Sequence, residues 1–236
     1  MSSRRPAPPA LDPLDYPFDV PLVGYTWRWG LPPGPAAGVD EVAGRTAVLA
    51  IGSNAASSQL SRKFALPAFA DPATEDGRIP VAPAAAPGID VVFAAQVASY
   101  GSVPATITPS PGTLVHVFVT WLTPAQLDRM NETEALGRAY QFAHVPGVAV
   151  EGHDPAPVPA YAATAGAALF GGRPLACAAV AAAGRTLPAA TQRAVWDRLA
   201  AAVGEPGGGR ALMAAVVADR DRRATVRALL RSGRIP

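Results

Sequence analysis

The sequence predicts a strand-rich α+β fold, a small closed or partly closed β-barrel flanked by a few helices. Three stretches carry that reading. Residues 113–122, TLVHVFVTWL, alternate and are β-branched, the pattern of a strand. Residues 46–51, TAVLAI, form an apolar run of strand length. Residues 123–137, TPAQLDRMNETEALG, then hold a helix start, with Thr123 as N-cap, Pro124 at the first helical position and Gln126 completing a capping box. Gly137 is placed to end that helix.

The other elements follow in chain order. Residues 1–45 are rich in proline, glycine and aromatics. RRPAPPALDP and GLPPGPAAG are not regular structure, but Tyr16, Phe18, Tyr25, Trp27 and Trp29 lie between them. So many aromatics suit an arm that packs onto the body or onto a second copy of the chain, and do not suit a disordered tail. Residues 55–64 have the length of a short helix, and ADPATEDGRIPVAPAAAPG reads as a flexible connection. A strand is expected from Ile89, and a short one in VPATITPSPG that ends at a Pro-Gly turn. AYQFAHVPGVAVEG reads as a strand pair, PAPVPAYAATAGAAL holds one more strand, and a helix is expected from Thr186. GEPGGG reads as a linker and residues 210–231 as one last helix. The organisation is therefore an arm (1–45), a body (46–205), and a linker with a basic C-terminal helix (206–236).

Composition excludes several functions. The chain has 236 residues, enough for a sizeable core, and a net charge of +2, which implies no strongly charged partner. Cys177, in an apolar run, is the only cysteine, so an intrachain disulfide and a thiolate zinc site are excluded. His116, His144 and His153 are too scattered to mark a metal site. The N-terminus lacks the apolar core of a signal peptide, and no run of about 18 apolar residues exists, so a cytoplasmic protein without a membrane span is expected. Asp219 and Asp221 interrupt the basic C-terminal run, which reads as a solvated face; a nucleic-acid partner is not expected. Arginine in place of lysine, with high alanine, proline and glycine, has the look of a GC-rich bacterial genome.

Two features hold candidate chemistry. In the helix from Thr123, Glu134 falls four residues after Met130 and within about 20° of Leu127, on the inward stripe, while Glu132 points to solvent. An inward carboxylate is costly unless paired or neutral, and desolvation raises its pKa toward what a general base needs. The alternative is an ion pair with Arg138 at i+4. Gly52-Ser53-Asn54 follows the 46–51 strand. Its backbone N–H groups can hold a carboxylate or an oxyanion, or Ser53 or Asn54 can serve as an ordinary helix cap. Arg62 and Lys63 follow the loop and could meet a substrate carboxylate, but they read first as exposed helix charges.

Taken in order, the GSN loop, ATITPSPG, VHVFVTWL, LTPAQLDRMNETE and Tyr140 resemble the gamma-glutamylcyclotransferase-like family over roughly residues 46–203. Ile51 stands where the family has tyrosine, Met130-Asn131 where it has Leu-Asp, and Ala135 where it has glycine. The resemblance implies a small mixed β-barrel with helices. It also implies a lyase or acyltransferase activity that releases 5-oxoproline from a small gamma-glutamyl amine or peptide, with no metal or cofactor. Glu134 would be the catalytic acid and base. Ile51, Gly52, Ser53, Asn54 and Tyr140 would bind substrate. The alternative is a non-catalytic member that binds a small ligand or a protein, with the arm as a route to a homo-oligomer.

Overall fold

The computed structural model describes residues 11–235. The fold is α+β. Its longer strands are β1 (Tyr25–Arg28), β2 (Thr46–Ala50), β3 (Arg78–Phe93), β4 (Ala105–Leu122), β5 (Tyr140–Val150) and β6 (His153–Ala163). Five α-helices are found among the described residues: α1 (Ser57–Lys63), α2 (Pro124–Glu134), α3 (Gln192–Val203), α4 (Gly208–Ala218) and α5 (Arg220–Ser232). In the main sheet β4, β2, β6, β5 and β3 are neighbours in that order, and β3 also pairs with β4, so five strands close into a barrel. The barrel is mixed, because β2 runs antiparallel to β4 (Leu49 opposite Val119) and parallel to β6 (Leu49 opposite Ala160).

The described residues fall into two compact units. The first comprises Leu11, Phe18–Ala86 and His116–Tyr161; the second comprises Asp12–Pro17, Pro87–Val115 and residues 162–235.

In the first unit, β1 pairs with β3 (Tyr25 opposite Val81), so part of the proline-rich arm is sheet. Trp27 is buried and packs on Phe64, with ring centroids 5.7 Å apart. The arm also fastens the chain just beyond the Gly-Ser-Asn loop. The Tyr25 hydroxyl donates to the Ala55 carbonyl at 2.8 Å, and the Trp27 indole N–H to the Ser61 hydroxyl at 3.0 Å. Burial pushes the Tyr25 phenol up, so it keeps the proton it donates. Helix α1 has no capping side chain of its own; Asp19, from the arm, accepts from the Ser58 N–H at 3.2 Å and supplies the negative charge that a helix start favours.

Helix α2 is fixed at its start by the expected capping box. The Thr123 hydroxyl accepts from the Gln126 N–H, and Gln126 Oε1 accepts from the Thr123 N–H at 3.0 Å. Gln126 is fully buried. Its Nε2 donates to the carbonyls of Asp76 and Arg78, both at 2.9 Å, and Arg45 Nη1 donates to its Oε1 at 3.2 Å and to the Arg78 carbonyl at 3.1 Å. One side chain thus joins the start of α2 to the start of β3.

The second unit holds α3, α4 and α5, whose buried residues include Trp196, Leu199, Leu212, Val216, Val226 and Leu230. Asp90, fully buried, receives Arg185 in a forked ion pair, with Nη2 to Oδ1 at 2.8 Å and Nε to Oδ2 at 2.9 Å. Cys177 is buried, and that burial pushes its thiol up. No described helix is long and apolar enough to cross a membrane.

Several expected boundaries shift. The connection expected at 70–88 becomes strand from Arg78 onward, despite Pro80, Pro83 and Pro87. Proline's fixed φ is compatible with extended backbone; it forfeits only a ladder donor. The Pro-Gly at 111–112 does not turn the chain, and β4 runs through it with Gly112 at φ +82°. The third helix begins at Gln192, capped by Thr191, and not at Thr186. The single last helix is two, and the first takes in Gly208 and Gly209 of the expected linker. Asp219 leaves helical geometry between them and caps α5 by accepting from the N–H groups of Asp221 (2.8 Å) and Arg222 (3.2 Å). Helix α2 ends at Glu134, not at Gly137, with Ala135 as a left-handed C-cap at φ +51°.

Three stability outcomes follow from these contacts. Gln126→Ala leaves the Arg45 guanidinium and two carbonyls short of partners and should lower the free energy of unfolding by about 3 kcal/mol in urea denaturation. Glu132→Ala, on the exposed side of the same helix, should change it by less than about 0.5 kcal/mol. Ala135→Gly should raise stability by about 1 kcal/mol, because glycine takes the left-handed conformation without the Cβ penalty.

Candidate functional site

The site lies in the first unit, where α1 and α2 end. Glu134 is the last residue of α2 and Lys63 the last of α1. The two side chains form an ion pair and are 13% and 8% exposed. Asn54 donates its side-chain amide to the same carboxylate, Nδ2 to Oε1 at 3.0 Å, across 80 residues of sequence. Lys63 Nζ also lies 3.4 Å from Met130 Sδ. Arg129 Nε donates to the Lys63 carbonyl at 2.8 Å, holding the end of α1 against α2.

The electrostatics explain the pairing. A helix ends in unpaired carbonyls and a partial negative charge. That field suits Lys63 at the end of α1 and opposes Glu134 at the end of α2. A nearly buried carboxylate there needs a cation and a donor, and Lys63 and Asn54 provide them.

The inward placement of Glu134 and the outward placement of Glu132, which is 71% exposed beside Arg129, agree with the helix phase. The structure pairs Glu134 with Lys63, which lies 71 positions earlier. The reading of Lys63 as an exposed charge is therefore corrected. Residues 59 and 63 are one turn apart, and both join the buried stripe of Leu60 and Phe64. Arg62, one position round, stays half-exposed and donates to Gln59 at 3.1 Å.

The capping alternative for the Gly-Ser-Asn loop is also settled. Ser53–Ala55 form a single 3-10 turn, and the N-cap of α1 is Ala56. Neither Ser53 nor Asn54 caps α1, and the Asn54 amide is turned to Glu134. Ile51 is buried at the end of β2, Gly52 is half-exposed, and Ser53 is buried with its carbonyl accepting from the Ala56 N–H at 2.9 Å. Tyr140 is buried, its ring edge-on to that of Tyr161 at 6.4 Å.

Tyr161, on β6, was not singled out by its sequence context. Its hydroxyl donates to Asn131 Oδ1 at 2.6 Å, and its ring lies 4.9 Å from that of Phe142. Burial first, and then the charge of Glu134, push the phenol up, so the group stays O–H and remains a donor beside the carboxylate. The available signal is a lone tyrosine among alanines near the end of β6. The histidines are scattered: His116 and His144 are exposed, and His153 stacks on Trp121 at 4.9 Å.

No family model matches the chain, and no curated protein does. Among solved structures it is similar to one described as a gamma-glutamyl cyclotransferase, with 20% identity and a TM-score of 0.38 over 50% of this chain and 66% of that one. It is also similar to the crystal structure of an uncharacterized protein from Homo sapiens (22% identity, TM-score 0.31, 35% of this chain and 51% of that one). A third likeness is to a solution structure from Arabidopsis thaliana (22% identity, TM-score 0.28, 36% and 52%). The chain spans less than two thirds of the length of each. These are likenesses of fold over part of each chain, and the chemistry of the site rests on its own geometry.

Proposed function

We propose that the chain is a cyclotransferase of the gamma-glutamyl type, releasing 5-oxoproline from a small gamma-glutamyl amine or peptide. The observation that carries this reading is the Asn54–Glu134 hydrogen bond, which joins the Gly-Ser-Asn loop to the carboxylate in one site. In the reaction the substrate's α-amino nitrogen bonds to its own γ-carbonyl carbon, and the bond from that carbon to the leaving amine breaks. The chemistry is intramolecular, so holding the substrate in a ring-forming pose supplies much of the rate. Glu134 takes a proton from the α-ammonium and returns one to the leaving amine. The loop at 51–54 holds the developing oxyanion or the α-carboxylate, and the Asn54 amide orients Glu134. Tyr140 and Tyr161 wall the site. No cofactor takes part in this scheme.

A second reading is favoured by the ion pair itself. Lys63 occupies Glu134, as it would in a ligand-binding or protein-interaction module that does no chemistry. The two readings separate on turnover. Glu134→Gln should abolish 5-oxoproline release, followed by chromatography, with an unchanged circular dichroism spectrum; activity that survives would remove Glu134 from the mechanism. Asn54→Ala should lower kcat by about 100-fold, since the carboxylate loses the group that orients it. If no gamma-glutamyl amine or peptide is turned over by the unmodified protein, the binding reading holds.

A further inference from the structure

Lys63 has a property that the cyclotransferase scheme does not use. Of the 20 lysine and arginine residues in the chain, it is the only lysine. It is also the one paired with Glu134, and it is nearly buried. Elsewhere this sequence meets its need for positive charge with arginine. A guanidinium is planar and rigid; an ammonium is a compact charge on a flexible four-carbon stem and swings between partners by bond rotation. The anchoring of the Lys63 carbonyl by Arg129 fixes the backbone and leaves the stem as the movable part.

A Lys⁺–Glu⁻ pair in a shielded site is the charge complement of a molecule that carries one anionic and one cationic group on the same carbon. We propose that Lys63 is a substrate-anchoring residue and that the site takes a zwitterionic α-amino-acid head group by exchange of ion pairs. The ligand's α-carboxylate takes the Lys63 ammonium, and its α-ammonium takes the Glu134 carboxylate, which Asn54 continues to hold. One protein ion pair becomes two protein–ligand ion pairs, and no charge is left alone. A ligand with only one of the two charges strands a protein partner without compensation, and that is costly in a shielded site. This proposal rests on the site described under Proposed function and sharpens it. The carboxylate is assigned to Lys63, which leaves the loop free for the oxyanion. The resting ion pair is then a closed state that a zwitterion opens.

Three probes test the exchange by titration calorimetry on the full chain: L-glutamine, its α-carboxamide, and N-acetyl-L-glutamine. The unmodified protein should bind L-glutamine roughly 100-fold more tightly than either of the others. Lys63→Met should lose the preference for carboxylate over carboxamide and keep the preference for a free amine. Glu134→Gln should do the reverse. Because the chain has one lysine, ¹⁵N labelling of lysine gives a single Nζ signal in the unmodified protein. That signal should move on addition of L-glutamine and stay in place with the α-carboxamide, a readout that does not depend on a variant folding. Failure of L-glutamine to bind, equal binding of all three, or an Nζ signal blind to L-glutamine overturns the proposal. Zwitterion-selective binding without 5-oxoproline release would leave it standing and remove the cyclotransferase reading. Release of 5-oxoproline by Lys63→Met with KM unchanged would do the opposite.

Discussion

The site depends on keeping one carboxylate charged where its surroundings oppose it. Glu134 ends a helix, so the last carbonyls of α2 face it with their negative ends, and it is only 13% exposed. Burying such a group alone is prohibitive. Two elements from distant parts of the chain must therefore arrive at the same point, α1 with Lys63 and the 51–54 loop with Asn54. Much of the first unit secures that arrival. Tyr25 holds the carbonyl just after the loop, Asp19 caps α1, Arg129 ties the end of α1 to α2, and Gln126 fixes where α2 begins. Each contact is local; their joint product is the position of three side chains.

The same constraint gives the N-terminal arm a purpose. Composition makes it look accessory, but β1 is hydrogen-bonded to β3, and its Tyr25 and Trp27 reach residues 55 and 61. Ala55 ends the turn that places Asn54, and Ser61 lies within the helix that ends in Lys63. The arm is thus part of the frame around the site, and a change in its aromatics acts on the loop through hydrogen bonds.

What could be read in the sequence was what local pattern determines. The β2 and β4 strands, the capping box at Thr123 and Gln126, and the inward phase of Glu134 all follow from residues within one or two turns of one another. Signals that change meaning with distance were misread. Pro-Gly at 111–112 says turn, yet long-range pairing keeps it in a strand. Lys63 beside Arg62 looks like a pair of exposed charges. Only the approach of α2 distinguishes them, because it buries Lys63, one turn after Gln59, and leaves Arg62, the position before it, half-exposed. The partner of Glu134 could not come from spacing along α2, since the group that needed it was matched by a residue 71 positions earlier.

Lysine instead of arginine at that position shapes what the site can do. A guanidinium on Glu134 would make a forked, rigid pair, as Arg185 does on Asp90 in the second unit. Such a pair suits a place meant to stay closed: Asp90 is fully buried, and its two oxygens are both taken by one partner. Lys63 presents one point of charge to one oxygen of Glu134, and Asn54 approaches that same oxygen. These contacts on the carboxylate gather on Oε1, and the cation is on a stem that can turn away. The chain contains both kinds of buried ion pair, built from different cations, and the difference in their geometry separates a structural lock from a site that opens.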